Sequence, residues 1–413
     1  MLRTVADGGL RRRRVPRVGD AGWSRSSPDL DPEHPQVRPA ADYVRYVPTS
    51  GSVLPPRLQP EPAFTSPGHI ESRAADEPAN RPTTVEIGGR RLPTSEVFDT
   101  YWRFAAARNE LYLSRLAGEP APWTDDPILR DHRFTNVFRA ADRVSQYLIR
   151  EVIFGQGLPN ETEEVVFRVL LFKMFNKIQT WEALVDRLGP LAWSEFDFNS
   201  YCAVLDEAST RGPVYSAAYM IPPPRLGESR KHANHLRLLS LLMSEGFSSS
   251  VAQARTLAEV FDALVAFPSM GRFLAFQFTI DLNYSDVIDF DEDDYVVAGP
   301  GAADGIRKCF GPEASGFEAQ LIRYMVDSQD EHFARLGLRF DGLFGRKLHL
   351  IDAQNLFCEV DKYARVAHPE VPGISGRTRI KQKYRSNAEP LEPWFPPSWG
   401  LNPRQTTSTA PAH

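Results

Sequence analysis

Asp352, Asn355, Glu359 and Lys362 follow one another at offsets of three, four and three in LIDAQNLFCEVDKYAR, so a helix there stacks two carboxylates, an amide and an ammonium on one face. Leu356, Val360 and Tyr363 take the apolar side. Such a line suits general acid/base chemistry or a metal, and a ladder of intrahelical salt bridges produces the same pattern. Asp291, Asp293 and Asp294 form a second acidic group in the loop DEDD. A third polar group, Asn176-Lys177-Ile178-Gln179-Thr180, ends an otherwise apolar helix, where amides and an ammonium need partners from protein or ligand. His232 and His235 have metal-ligand spacing but no third acidic ligand nearby, so they are expected to be surface histidines, and no metal site is assigned.

Three features could hold an anion. The turn FPSMGRFLA at 267–275 places Gly271 where a backbone conformation closed to other residues is expected, with a helix opening at Arg272 and its N–H groups aimed outward. A second glycine turn, Ala298-Gly299-Pro300-Gly301-Ala302, opens the helix that carries Lys308. GISGRTRIKQKYR at 373–385 carries Arg377, Arg379, Lys381, Lys383 and Arg385 with no acid among them, which is a local basic patch.

The elements that must position these groups read as helices. Thr94 and Ser95 cap a helix running through Val97, Tyr101 and Phe104, and FTNVFRAADRVSQYLIREVIF at 134–154 reads as a core helix with Arg139 and Asp142 on its polar side. Helices are expected at 161–178, where VVFRVLLFKMF is apolar nearly all round, and at 181–188, 201–211, 231–243, 251–265, 317–336 and 349–365. Nothing reads as a sheet and no period repeats, so the expected architecture is all-α. Residues 1–93, rich in Pro, Arg and Ser, are assigned to a disordered arm, 94–385 to one helical domain and 386–413 to a polar, proline-rich tail.

The 413 residues carry a net charge of −5, so any nucleic acid must be met by a local patch and not by overall charge. Cys202, Cys309 and Cys358 lie far apart and have no metal spacing, which favours a reducing, intracellular compartment, cytoplasmic or nuclear. Every long apolar run is interrupted by charge, as Arg168 and Lys173 interrupt 165–175, and Arg11–Arg14 is followed by no apolar stretch, so neither a membrane span nor a secretory signal is expected.

The order of pieces resembles helix-hairpin-helix DNA glycosylases, with FPSMGRFLA standing for their hairpin. Where those enzymes carry a catalytic aspartate this sequence has AGPGA, with Asp291, Asp293 and Asp294 a few residues earlier, which implies altered base chemistry. A longer resemblance spans about 98–385. FTNVFRAADRVSQYLI, LLFKMFNKIQTWE, VYSAAYMI, IDLNYS, VVAGPGAADGIRKCF, LHLIDAQNLFCEVDKYARVAHPE and GRTRIKQKY look like the helical domain of 5-hydroxymethyl-deoxyuridine DNA kinases and the related thymine-hypermodification proteins. That resemblance implies DNA as partner and a modified thymine turned out of the duplex. Asn176, Lys177, Gln179 and Tyr219 are then candidates for the base pocket. Gly271, Arg272, Gly299, Gly301, Lys308, Arg377, Arg379, Lys381 and Lys383 are candidates for phosphates, and Asp352, Asn355, Glu359, Lys362, Asp291 and Asp294 for catalysis. Excision of a modified base and non-catalytic DNA binding remain as alternatives. No Gly-x4-Gly-Lys-Ser/Thr motif occurs, Gly342-Leu343-Phe344-Gly345-Arg346-Lys347 lacking both spacing and hydroxyl. No cofactor is evident in the sequence; if phosphorylation is the activity, a nucleotide or Mg2+ is expected through a partner kinase or through an ATP site without a recognisable motif, and a base oxygenase is a further candidate partner.

Overall fold

A computed structural model describes residues 81–217, 221–385 and 391–402. Most of the proposed N-terminal arm, Tyr219 and the end of the tail lie outside these residues.

The domain begins earlier than its helical pattern indicates. β1 (Thr84–Ile87) and β2 (Arg90–Pro93) pair antiparallel, with Val85 opposite Leu92 and both buried with Ile87. Gly88 and Gly89, at φ 58° and 75°, make the two-residue turn whose twist suits a hairpin. This hairpin corrects both the arm boundary at 93 and the expectation of no sheet, although the fold remains overwhelmingly helical. α1 (Glu96–Leu116) follows, capped by Ser95, whose hydroxyl accepts from the Val97 N–H at 3.1 Å. α2 (Pro127–Asp131) is capped in the same way by Asp126.

The stretch 134–154 is not one helix. It divides into a 3₁₀ turn (Arg139–Ala141), α3 (Arg143–Tyr147) and a π-helical turn (Leu148–Ile153). The cause is polar: Arg139 is 2% exposed and points inward, while Asp142 stays extended and accepts from the Asn136 N–H at 2.7 Å. α4 (Thr162–Phe175) is buried on almost every side and stops where Asn176 turns left-handed at φ 48°. Then come α5 (Ile178–Leu188), α6 (Phe198–Arg211), α7 (Lys231–Ser244), α8 (Phe247–Gln253) and α9 (Leu257–Val265). A single helix at 251–265 fails because Ala254 is extended and Thr256 caps a new start. His232 and His235 on α7 are buried, not superficial: His232 pairs with Asp206 at 2.9 Å, and His235 with the Tyr215 hydroxyl at 2.7 Å.

α10 (Arg272–Leu282), α11 (Pro300–Phe310), α12 (Glu318–Asp327), α13 (Gln329–Arg335) and α14 (Leu350–Ala367) complete the domain. In the turn before α10, Ser269 takes the left-handed conformation at φ 64°, whereas Gly271 sits at φ −68° in open space, so the special backbone expected at Gly271 lies two residues earlier. α11 lies directly on α14. A Cβ at Gly305 would stand 2.1 Å from the Phe357 carbonyl oxygen, and one at Gly301 would stand 3.1 Å from Cys358 Sγ. The supposed tail also folds back: Phe395 is buried, stacks with Trp399 at 6.0 Å, and is clasped by Asn402 through two backbone hydrogen bonds of 2.8 and 2.7 Å. Among the described residues, no helix is long and apolar enough to cross a membrane.

Candidate functional site

Four sequence stretches that are far apart in the chain meet at one buried polar cluster. Arg139 donates through Nε to Gln277 Oε1 at 3.0 Å and through Nη1 to Asp281 Oδ1 at 2.8 Å, and its backbone N–H binds Asp352 Oδ1 at 2.9 Å. Lys173 reaches the other Asp281 oxygen at 3.0 Å and donates to Asn176 Oδ1 at 2.9 Å. Asp281 is completely buried; burial alone would raise its pKa, but Arg139 and Lys173 outweigh it and hold the carboxyl below its usual range. Desolvating two cations and an anion is tolerable only because each is paired.

The α14 line is brought together as the sequence indicates, and it faces the irregular segment 133–139. Asn355 donates to Thr135 Oγ1 and to the Asn136 carbonyl, both at 3.2 Å. Glu359 accepts from the Thr135 N–H at 2.9 Å and from Lys362 at 2.7 Å, and Lys362 also donates to the Arg133 carbonyl at 3.2 Å. Asp352 is raised by burial. Its capping-box contact with the His349 N–H is 3.3 Å. Each of the four side chains therefore makes at least one hydrogen bond to the 133–139 segment, Asp352 through the backbone of Arg139.

The acidic loop holds a residue that the sequence reading passed over. Glu292 is 6% exposed and its Oε1 accepts from Arg346 Nη2 and Trp399 Nε1, each at 2.8 Å, while Oε2 has no hydrogen-bond partner. Burial pushes its carboxyl up to about 7. The Arg346 guanidinium lies 3.8 Å over the Trp399 ring. Next to it, Asp293 binds His349 Nδ1 at 2.9 Å and the Leu350 N–H at 3.0 Å. Burial opposes the charge of both, yet the pairing lowers Asp293 and raises His349. Asp291, Asp293 and His349 place ligand atoms within 4.8 Å of one another. Asp294 is exposed and lines a surface cleft of about 480 Å³ with Glu86, Arg323 and Asp327. Only a tertiary signal could have found Glu292, since Trp399 stands 107 positions away.

Other candidates separate. Asn176 is interior and bound to Lys173, Lys177 donates to the Pro213 carbonyl, and Gln179 is exposed, so these residues do not form one pocket. Lys308 is 2% exposed and ion-paired with Asp361 at 3.2 Å, which removes it from any phosphate site. Gly299 is covered by the Phe273 ring, where a Cβ would meet it at 2.4 Å, and Gly301 by Cys358, so both glycines serve packing. Gly271 and Arg272 are exposed at the start of α10.

The basic segment differs from all of these; it forms no β-strand, and its one ladder contact is the isolated bridge of Lys383 with His132. Arg377, Arg379, Lys381, Lys383 and Arg385 are exposed, and among the described residues none is in an ion pair. Their two-residue spacing is that of one side of an extended chain. The body fixes that chain from behind: the Ser375 N–H binds Asp304 Oδ1 at 2.7 Å, Arg365 donates to the Arg379 carbonyl at 3.2 Å, the Arg133 N–H binds the Gln382 carbonyl at 3.0 Å, and the Tyr384 N–H binds the Asp131 carbonyl at 3.1 Å.

A helical domain is the class to which the comparisons assign the chain. Residues 95–373 match the family described as 5-hmdU DNA kinase, helical domain, and the chain belongs to that family. Among curated proteins it is similar to the 5-hmdU DNA kinase of Bacillus phage SP10, 24% identical over an alignment of 285 residues, with 65% of this chain and 45% of that protein covered. The chain thus spans less than half the length of that relative. No solved structure matches it significantly.

Proposed function

We propose that this chain is the DNA-binding helical module of a system that modifies 5-hydroxymethyluracil in DNA, holding the duplex along 377–385 and presenting the modified nucleotide for phosphoryl transfer. The kinase site, with its nucleotide and Mg2+, comes from a partner domain or subunit. Family membership supplies the substrate class. The observation that carries DNA binding is the segment of five exposed cations, none in an ion pair among the described residues, on a chain whose net charge is −5. Such a segment offers regularly spaced donors to phosphates, and burying none of them leaves the whole charge available to a polyanion.

In this reading the α14 line does its work at a distance from the reacting atoms: Asp352, Asn355, Glu359 and Lys362 set the 133–139 loop, which in turn meets the basic segment through Arg133 and Gln382. Asp291 and Asp294, exposed near the Asp293–His349 pair, are the acids of the loop that a partner's nucleotide-bound cation could approach. Fluorescence anisotropy on matched duplexes tests the proposal. Duplex carrying hydroxymethyluracil should bind more tightly than thymine duplex, and equal affinity for the two removes the substrate assignment.

A further inference from the structure

We infer that a cavity of about 160 Å³, walled by Arg108, Trp123, Leu129, His132, Phe134 and Tyr384, receives a single pyrimidine ring turned out of DNA. This rests on the DNA-binding reading above and deepens it by naming the pocket and the edge it reads. Its lining includes neither Asn176 nor Gln179 and none of Arg139, Lys173 and Asp281.

Three observations converge. The first is size: an apolar cavity of about 150 Å³ takes up benzene, whereas drug-sized ligands need roughly 300 Å³ or more, so this space admits one six-membered ring. The second is the wall. Trp123 and Phe134 supply aromatic surface for stacking, and three lining residues each carry a buried polar atom without a hydrogen-bond partner: Arg108 Nη1, His132 Nδ1 and Tyr384 Oη. Buried polar atoms are nearly always satisfied, so these three give the small cavity polar groups that the edge of a base can satisfy. The Arg108 guanidinium is anchored from its other side, Nη2 donating to Asn136 Oδ1, which leaves Nη1 fixed in place.

The third is connection. Tyr384 closes the cavity from the basic segment itself, and Lys383 pairs with His132 in an antiparallel bridge. The backbone that would grip phosphates is therefore the backbone that walls the pocket. A ligand engaging both is a polyanion with one base turned inward, as enzymes acting on bases in duplex require. The polar complement fits a 5-substituted uracil. Its two carbonyls accept from a guanidinium N–H, its ring N–H needs an acceptor, and a hydroxymethyl group can donate or accept. Arg108 supplies only donors, whereas a tyrosine hydroxyl does both and an imidazole nitrogen does either according to tautomer. Exposed Ala121, Pro122 and Arg130 form the mouth.

The test uses the full chain and two duplexes that differ only in carrying one hydroxymethyluracil or thymine, with 2-aminopurine beside that position. Wild type should prefer the modified duplex and raise 2-aminopurine fluorescence as the base leaves the stack. Trp123→Ala should weaken modified-duplex binding by about fivefold or more and diminish the fluorescence rise, a lost base stack being worth that much. Tyr384→Phe, which removes one oxygen and leaves the wall intact, should lower that binding less. Arg379→Ala/Lys381→Ala should weaken both duplexes equally. If both pocket variants keep the wild-type modified-duplex affinity and fluorescence rise while the basic-segment variant still loses affinity, the pocket is refuted and DNA binding stands. If wild type binds neither duplex, the reading beneath it fails and the pocket with it.

Discussion

The molecule holds cations in two contrasting ways. Arg139 and Lys173 are buried, share Asp281 and lie within 3.0 Å of its oxygens. Arg377, Arg379, Lys381, Lys383 and Arg385 are exposed, of one sign and without ion pairs among the described residues. The first group is closed: its charge is cancelled inside the fold and its value is to fix one arrangement of α4, α10 and the 133–139 loop. The second is open, fixed only through its backbone, so its charge remains for something outside the chain. Residue type does not separate the two groups; the placement of carboxylates does.

The largest expected effect is in the closed group. Asp281→Asn leaves two cations in the core without their counter-charge and should cost about 3–5 kcal/mol, read from denaturant unfolding. The full set of basic-segment substitutions to alanine should alter stability by less than about 0.5 kcal/mol in the same measurement. Comparable losses in the two variants would dissolve the contrast.

Glu292 sharpens it through pH. With an unfolded value near 4.5 and a folded value of about 7, the native state keeps a proton that the unfolded state has released, so stability should fall as pH rises from about 4.5 to 7. The loss is about 3 kcal/mol at full extent. Glu292→Gln should remove that contribution, so the stability difference between wild type and variant should move against the wild type as pH rises from about 4.5 to 7; a difference that stays constant contradicts the buried, raised carboxyl. Gly305→Ala, which forces a Cβ against the Phe357 carbonyl, should cost about 1–3 kcal/mol by thermal or denaturant melting. No loss there would mean that α11 and α14 are held less tightly than the glycine implies.

These particulars show what the sequence could and could not reveal. The all-round apolar run at 165–175 required a central helix, and the three-four-three spacing at 352–362 required one polar face, both being local periodicities. The basic segment was legible because acids are absent from it. The helix expected across 134–154 was not, because Arg139 turns inward to partners on α10 some 140 positions away, and that pull overrides the local apolar spacing. The same is true of Glu292 with Trp399, and of Gly299 and Gly301, whose smallness serves helix packing where it resembled an anion turn. The hairpin at 84–93 escaped because its inward side has only Val85, Ile87 and Leu92. Tyr384 and His132 form no motif in the sequence and come together only where the basic segment bridges to the end of α2.

The salt dependence of DNA affinity tests the open group most directly. Wild-type log affinity should fall linearly with log salt, and replacing Arg377, Arg379, Lys381 and Lys383 by alanine should reduce that slope by about one for each cation removed. An unchanged slope and affinity in the fourfold variant, with folding intact, would contradict the claim that this segment is where the protein meets DNA.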